Sequence, residues 1–203
     1  MHTIIVAFNG DAGAGKDTAA NHLVSSYGFV KINFADTLRE VCKTVFGLTD
    51  AEMADRHLKE QPLARWPFQS PRRIMQIVGT ECFRTHFPGV WIEAFARKAA
   101  GYERVVAADC RFIDEAEYVH ARGGWVVRIE GKETSADTAA QAHVSEQQSR
   151  MLPVDDYLRN DRDIPYLHAQ IDRLMVDYGV HQRPGRRVAT DDGYLYVPPA
   201  IRG

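Results

Sequence analysis

Nine consecutive residues constrain this chain more than any others: Gly10-Asp11-Ala12-Gly13-Ala14-Gly15-Lys16-Asp17-Thr18. They read G-x-x-x-x-G-K, then Asp and Thr. An apolar, β-branched run from Thr3 to Phe8 precedes them and predicts a buried parallel strand. A helical pattern from Lys16 to about Ser26 follows. Strand, glycine loop and helix start together make a cradle for phosphate. Glycines let successive backbone N–H groups turn inward. The helix start adds its unsatisfied N–H groups and the positive end of its dipole.

Gly13, Ala14, Gly15, Lys16 and Thr18 are therefore the candidate ATP phosphate-binding residues, with Lys16 reaching the β- and γ-phosphates as a point charge. A Ser or Thr usually follows that lysine and binds magnesium. Here the place holds Asp17. A carboxylate is a good hard ligand for Mg2+, so Asp17 is a candidate for metal binding or for positioning the acceptor. The alternative is that Asp17 only favours the positive end of its helix. A second carboxylate comes from Val105-Val106-Ala107-Ala108-Asp109, an apolar strand ending in Asp. Ligands of open α/β sheets gather at the carboxyl ends of strands, so Asp109 is the second candidate metal ligand. Arg111, two residues on, is a candidate phosphate contact; the alternative is an Asp–Arg pair that stabilises a turn. Lys16, Asp17, Asp109 and Arg111 form the candidate catalytic set.

Along the chain, Phe29 to Phe34 predicts a second strand. Leu38, Val41, Cys42 and Val45 predict one helical face, with Asp36 as its cap. Residues 48–69 predict a short helix and a loop. Ser70-Pro71 is a helix start, with Ile74, Ile77, Val78 and Cys82 as the buried stripe. Trp91 to Ala100 and Phe112 to Arg122 predict helices, and Arg104 to Ala108 and Trp125 to Ile129 strands. A last strand ends near Asn160. Asp163-Pro165 then opens a helix with the stripe Ile164, Leu167, Ile171, Leu174 and Tyr178. This alternation predicts an α/β fold of three layers: a mostly parallel central sheet covered on both faces. Residues 1–180 read as one P-loop domain, with a helical part at about 36–100 and a flap at about 131–150. Residues 181–203 read as a loosely attached tail.

The chain has 203 residues with a formal net charge of −2, which argues against a nucleic-acid-coating surface. No apolar run approaches the length of about 18 residues that a membrane span needs. The N-terminus lacks a signal-peptide pattern. Cys42, Cys82 and Cys110 have no metal or redox spacing and read as buried, reduced thiols. A cytoplasmic, ATP-containing setting is expected.

Arg72, Arg73, Gln76 and Arg84 lie on the helix after Ser70. An arginine near its start can clamp a phosphate bidentately, and the Gln76 amide can read a base edge. The flap carries His143, Ser145, Glu146 and Arg150; arginines in closing flaps neutralise phosphate and exclude water. Arg128 points either to solvent or into the site.

Taken in order, the phosphate loop, Phe34-Ala35-Asp36-x-Leu38, Ser70-Pro71-Arg72, Met75-Gln76-x-x-Gly79-Thr80-Glu81, Trp91, Asp109-x-Arg111-Phe112-x-x-Glu115 and His143-x-Ser145-Glu146 resemble the deoxynucleoside monophosphate kinases of bacteriophages. The resemblance spans about residues 3–178. It implies the P-loop nucleoside monophosphate kinase fold with an acceptor-binding helical part and a lid. It also implies ATP as donor, a deoxynucleoside monophosphate as acceptor, Mg2+, a homodimer, and the host cytoplasm for a phage protein. Asp36, Arg72, Gln76, Glu115 and Arg150 become the expected acceptor-binding residues. Rival readings are a small-molecule kinase of the dephospho-coenzyme A or phosphomevalonate type, and a nucleotide-dependent switch or assembly protein. No Asn-Lys-x-Asp guanine-reading motif supports the switch.

Overall fold

The computed structural model describes residues 3–131, 144–183, 186–190 and 193–197, the last two stretches and residue 146 as backbone. The central sheet has five strands: β1 (Ile4–Asn9), β2 (Val30–Lys31), β3 (Arg104–Ala107), β4 (Trp125–Gly131) and β5 (Asp156–Asn160). They pair in the order β2-β3-β1-β4-β5, every pair parallel. The chain thus leaves β1 towards one side and later crosses to the other. The carboxyl end of β1 is the switch point where such sheets bind ligands.

Helix α1 (Lys16–Tyr27) follows the phosphate loop, and the last long helix, Ile164–Asp177, packs beside it on the same face. There Val6, Phe8, Val127 and Ile129 meet Leu23, Leu167, Ile171 and Met175 in one core cluster. Period-2 alternation sends Ile5 and Ala7 to the opposite face. The helix covering that face is Ile113–Ala121, whose Val119 lies close to Ile5 at Gly124. Burying each such side chain contributes about 1.5–3 kcal/mol.

The chain divides into two compact units, Met1–Asn33 with Ala99–Gly203, and Phe34–Lys98. Within the second unit come α2 (Asp36–Phe46), α3 (Asp50–Ala54), α4 (Pro71–Gln76) and most of α5 (Val90–Ala99). Leu38, Cys42, Leu48, Met53, Leu63, Ile74, Val78 and Trp91 make its core. Ser70 caps α4 as its sequence predicts, accepting from the Arg73 N–H. The first unit continues with α6 (Ile113–Ala121), α7 (Val144–Arg150) and α8 (Ile164–Asp177), the last capped by Asp163, which accepts from the Tyr166 N–H.

Several sequence expectations need correction. The second strand is only Val30–Lys31, because past Ile32 the side chain of Asn33 takes over, its Oδ1 accepting from the Ala108 N–H at 2.9 Å. Asp36 is the first residue of α2 rather than its cap; Ala35 holds the cap position, and Asp36 pairs with Arg39 at 3.2 Å. After Gln76 the helix widens into a π-helical stretch, Ile77–Arg84. This breaks the 3.6 period, so Val78 and Gly79 are buried while Cys82 faces solvent. Trp91 Nε1 donates to the Gly79 carbonyl at 2.8 Å. In α8, Ile164 is exposed and Met175 takes its place in the stripe. The expected loose tail contains an antiparallel hairpin, β6 (Arg186–Thr190) with β7 (Gly193–Val197). Residues 132–143 of the expected flap, with His143, lie outside the described residues.

One polar knot interrupts the apolar contact of α1 with α8. His22 stacks on His168 with ring centres 4.0 Å apart. Asp172 Oδ1 lies 2.7 Å from His22 Nε2 and accepts from the Tyr27 hydroxyl at 2.8 Å. Burial first, then the neighbouring His22, pushes the His168 pKa below its ordinary 6.5, against the pull of Asp172. Such a ring takes up its proton more readily in the unfolded chain. Stability is therefore undiminished by this group above about pH 6.5 and falls as the pH drops from there towards the lowered folded value. Urea midpoints measured across that window should fall with acid, and His168→Gln should flatten the slope. An unchanged slope in the variant would show that His168 does not set it.

Candidate active site

The phosphate loop leaves the carboxyl end of β1 and closes at the first residue of α1. Gly10 has φ +141°, and a Cβ there would stand 2.3 Å from the Ile129 carbonyl oxygen of β4. Gly15 has φ +98°, and a Cβ there would stand 2.4 Å from Asn160 Nδ2. Both positions thus need glycine for backbone angle and for space. From the end of β5, Asn160 Nδ2 donates to the Ala14 carbonyl at 3.0 Å. The loop is walled by the ends of β4 and β5, which fixes its shape in advance of any ligand.

Lys16 Nζ donates to the carbonyls of Gly10 and Asp11, each at 2.7 Å, so its ammonium spans the loop mouth. Asp17 is exposed in the first turn of α1 and pairs with Lys31 at 2.6 Å, a contact the sequence does not reveal. Thr18 is half-buried one residue further on. Asp109 and Arg111, both half-buried, follow the carboxyl end of β3, next to β1 in the sheet. Glu115 is buried, and its Oε2 accepts from the N–H groups of Arg111 and Phe112 at 2.9 and 3.2 Å. Glu115 thus shapes the turn that carries Arg111.

In the second unit, Arg72 pairs through Nε with Glu60, and Arg73 with Glu81. Arg72 and Gln76 are half-buried on α4, and Asp36 opens α2. Arg150 ends α7 and is exposed. The first unit therefore assembles the loop, Lys16, Asp17, Thr18, Asp109 and Arg111, while Asp36, Arg72 and Gln76 belong to the second. Sequence reading missed Asn9, Asn160 and Lys31. For Asn9 the signal was a polar residue closing an apolar strand.

Among the described residues, no group of three or more His, Cys, Asp or Glu side chains is arranged to hold a metal. Mg2+ bound with a nucleotide does not need one: it takes one or two carboxylates and fills its octahedron with phosphate oxygens and water. Asp17 and Asp109 are hard oxygen donors of the kind that fits.

A curated protein of Acanthamoeba polyphaga mimivirus named "Putative deoxynucleotide monophosphate kinase" is 30% identical over 184 residues, 83% of this chain and 94% of that protein. The chain belongs to the deoxynucleotide monophosphate kinase family. This kinase matches no protein-family model. Its fold is similar to the crystal structure of TT1252 from Thermus thermophilus, with a TM-score of 0.50 over 87% of this chain and 98% of that one, at 14% identity. That likeness bears on the fold alone. The matched relative comes from a giant virus rather than a bacteriophage. No helix of the described residues in this kinase is long and apolar enough to cross a membrane.

Proposed function

We propose that the protein transfers the γ-phosphoryl group of ATP to a deoxynucleoside monophosphate, giving the diphosphate. The observation that carries this reading is the preformed phosphate loop with the Lys16 ammonium across its mouth, in a chain of this family. An acceptor phosphate oxygen is already anionic, so attack in line on the γ-phosphorus needs little help from a base. Positioning and charge neutralisation then make up most of catalysis. Loop amides and the start of α1 hold the β- and γ-phosphates, Lys16 neutralises them, and Thr18 contacts an inner phosphate. Arg111 lies beside the transferred group, with its turn held by Glu115. Asp36, Arg72 and Gln76 bind the acceptor, and Arg150 assists from the end of α7. Glu60 holds the Arg72 guanidinium until an acceptor phosphate replaces it.

Asp17 and Asp109 would hold Mg2+, which screens the phosphate charges when bound with ATP. For Asp17 this means sharing its carboxylate with Lys31. Asp17→Ser should raise the Mg2+ concentration needed for half-maximal rate roughly tenfold. An unchanged Mg2+ requirement and rate would remove Asp17 from the metal site. The reading places the enzyme in the cytoplasm of a host cell, as a viral or phage protein acting on free nucleotides. A panel of acceptors with ATP, scored by ADP release, tests the function. Deoxynucleoside monophosphates should be the best acceptors; preference for dephospho-coenzyme A or phosphomevalonate would reassign the enzyme.

A further inference from the structure

Arg128 sits within a mostly apolar strand, paired in register with Asn9, the last residue before the phosphate loop. Asn9 is fully buried, and both polar atoms of its side chain have partners. Its Nδ2 donates to the Cys110 carbonyl at 2.9 Å and to Ser149 Oγ at 2.7 Å. Its Oδ1 accepts from an Arg128 guanidinium nitrogen, NH1, at 2.8 Å, and the same nitrogen donates to the Ser149 carbonyl at 3.1 Å. Ser149, on α7, is also buried. This one amide ties together the ends of β1 and β4, the turn after β3 and the helix α7.

The partners of NH1 are neutral, whereas the other terminal nitrogen, NH2, faces the exposed Asp11 carboxylate at 3.9 Å. That is beyond hydrogen-bond range. The Arg128 side chain is 18% exposed, and its guanidinium, held mainly by neutral acceptors, carries a charge only partly balanced from within the protein, a costly arrangement unless an anion completes it. Its position says which anion. NH2 faces Asp11, whose backbone carbonyl also accepts from Lys16 Nζ. The backbone of the next residue of β4, Ile129, presses on Gly10. Both cations converge on the Gly10–Asp11 segment at the loop mouth.

We propose that Arg128 contacts the donor polyphosphate, and that Asn9 and Ser149 are positioning residues that aim its guanidinium. The inference rests on the ATP-binding reading above and names the arginine that accompanies Lys16. It places that arginine on a rigid strand, where its orientation is set before the nucleotide arrives.

Inorganic tripolyphosphate is the probe, because it has neither base nor sugar and needs no acceptor. Calorimetry on the full chain should show wild type binding both ATP and tripolyphosphate. Arg128→Lys keeps the charge but loses the planar fork, and should weaken both ligands about tenfold or more. Asn9→Ser should weaken both in the same direction but less, and the double variant should be no worse than Arg128→Lys alone. Ser149→Ala supplies the same reading should either variant fail to fold. A purely structural cross-link would give folded variants with lowered melting temperatures and wild-type affinity for both ligands, which overturns the proposal. Wild type that binds neither ligand overturns it too, together with the phosphate-loop reading. Weakened binding in the variants, with wild type that phosphorylates no deoxynucleoside monophosphate, sinks the proposed function and leaves the Arg128 assignment supported.

Discussion

Lys16→Ala should fold like wild type and turn over at least about a hundredfold more slowly, a loss of roughly 3 kcal/mol or more of transition-state stabilisation. The side chain is half-buried, and it bonds to the loop carbonyls of Gly10 and Asp11, outside the apolar core. Removing it therefore leaves no unsatisfied polar group in the core, and the melting temperature should stay close to wild type. The chemistry has no such substitute. Charge accumulating on the transferred phosphoryl and the bridging oxygen needs a fixed positive group, and water is a poor replacement for one already in place. Steady-state rates with ATP, alongside circular dichroism and a melting curve, check both halves. A folded variant with near-normal turnover would remove Lys16 from the mechanism.

Gly10→Ala should do more damage to the protein itself. The added methyl would stand 2.3 Å from the Ile129 backbone oxygen, and at φ +141° an alanine is strained whatever the space. Because the obstacle is backbone of β4, neither side can yield without disturbing the sheet at the switch point. We expect a stability loss of about 2–4 kcal/mol and ATP binding weakened at least about a hundredfold, since the amides no longer converge. Gly13→Ala is the informative companion. Gly13 has φ +82° with nothing within 4 Å of the added carbon, so the cost should be only about 1–2 kcal/mol of backbone strain. Urea titrations and nucleotide calorimetry on the two variants test the contrast. Equal effects would mean that left-handed backbone, rather than the press of β4, governs the loop.

The parts legible in the sequence were those whose causes are local. An apolar run, a glycine loop and a lysine fix β1, the cradle and α1 from neighbours within twenty residues, and Ser70 and Asp163 announce their helices by capping chemistry. The π-helical stretch was not legible, because it depends on Trp91 reaching the Gly79 carbonyl and on Leu38 packing where a Cβ at Gly79 would stand. The short β2 was not legible either: Asn33 ends it by bonding to Ala108, seventy-five positions away. The same limit hid the site's supports. Asn9 with Arg128, Asp17 with Lys31, and Asn160 with Ala14 are pairs that only the parallel sheet and the α1 crossover bring together. Arg128 was visible as a charged residue in a mostly apolar strand, but its direction depended on a partner 119 positions away.

The most direct measurement follows the label from γ-32P-labelled ATP in the presence of wild-type protein, Mg2+ and each deoxynucleoside monophosphate in turn. Label appearing in a deoxynucleoside diphosphate, with ADP formed in equal amount, is the predicted result. Label released only as inorganic phosphate, or retained in ATP with every acceptor, would contradict the account.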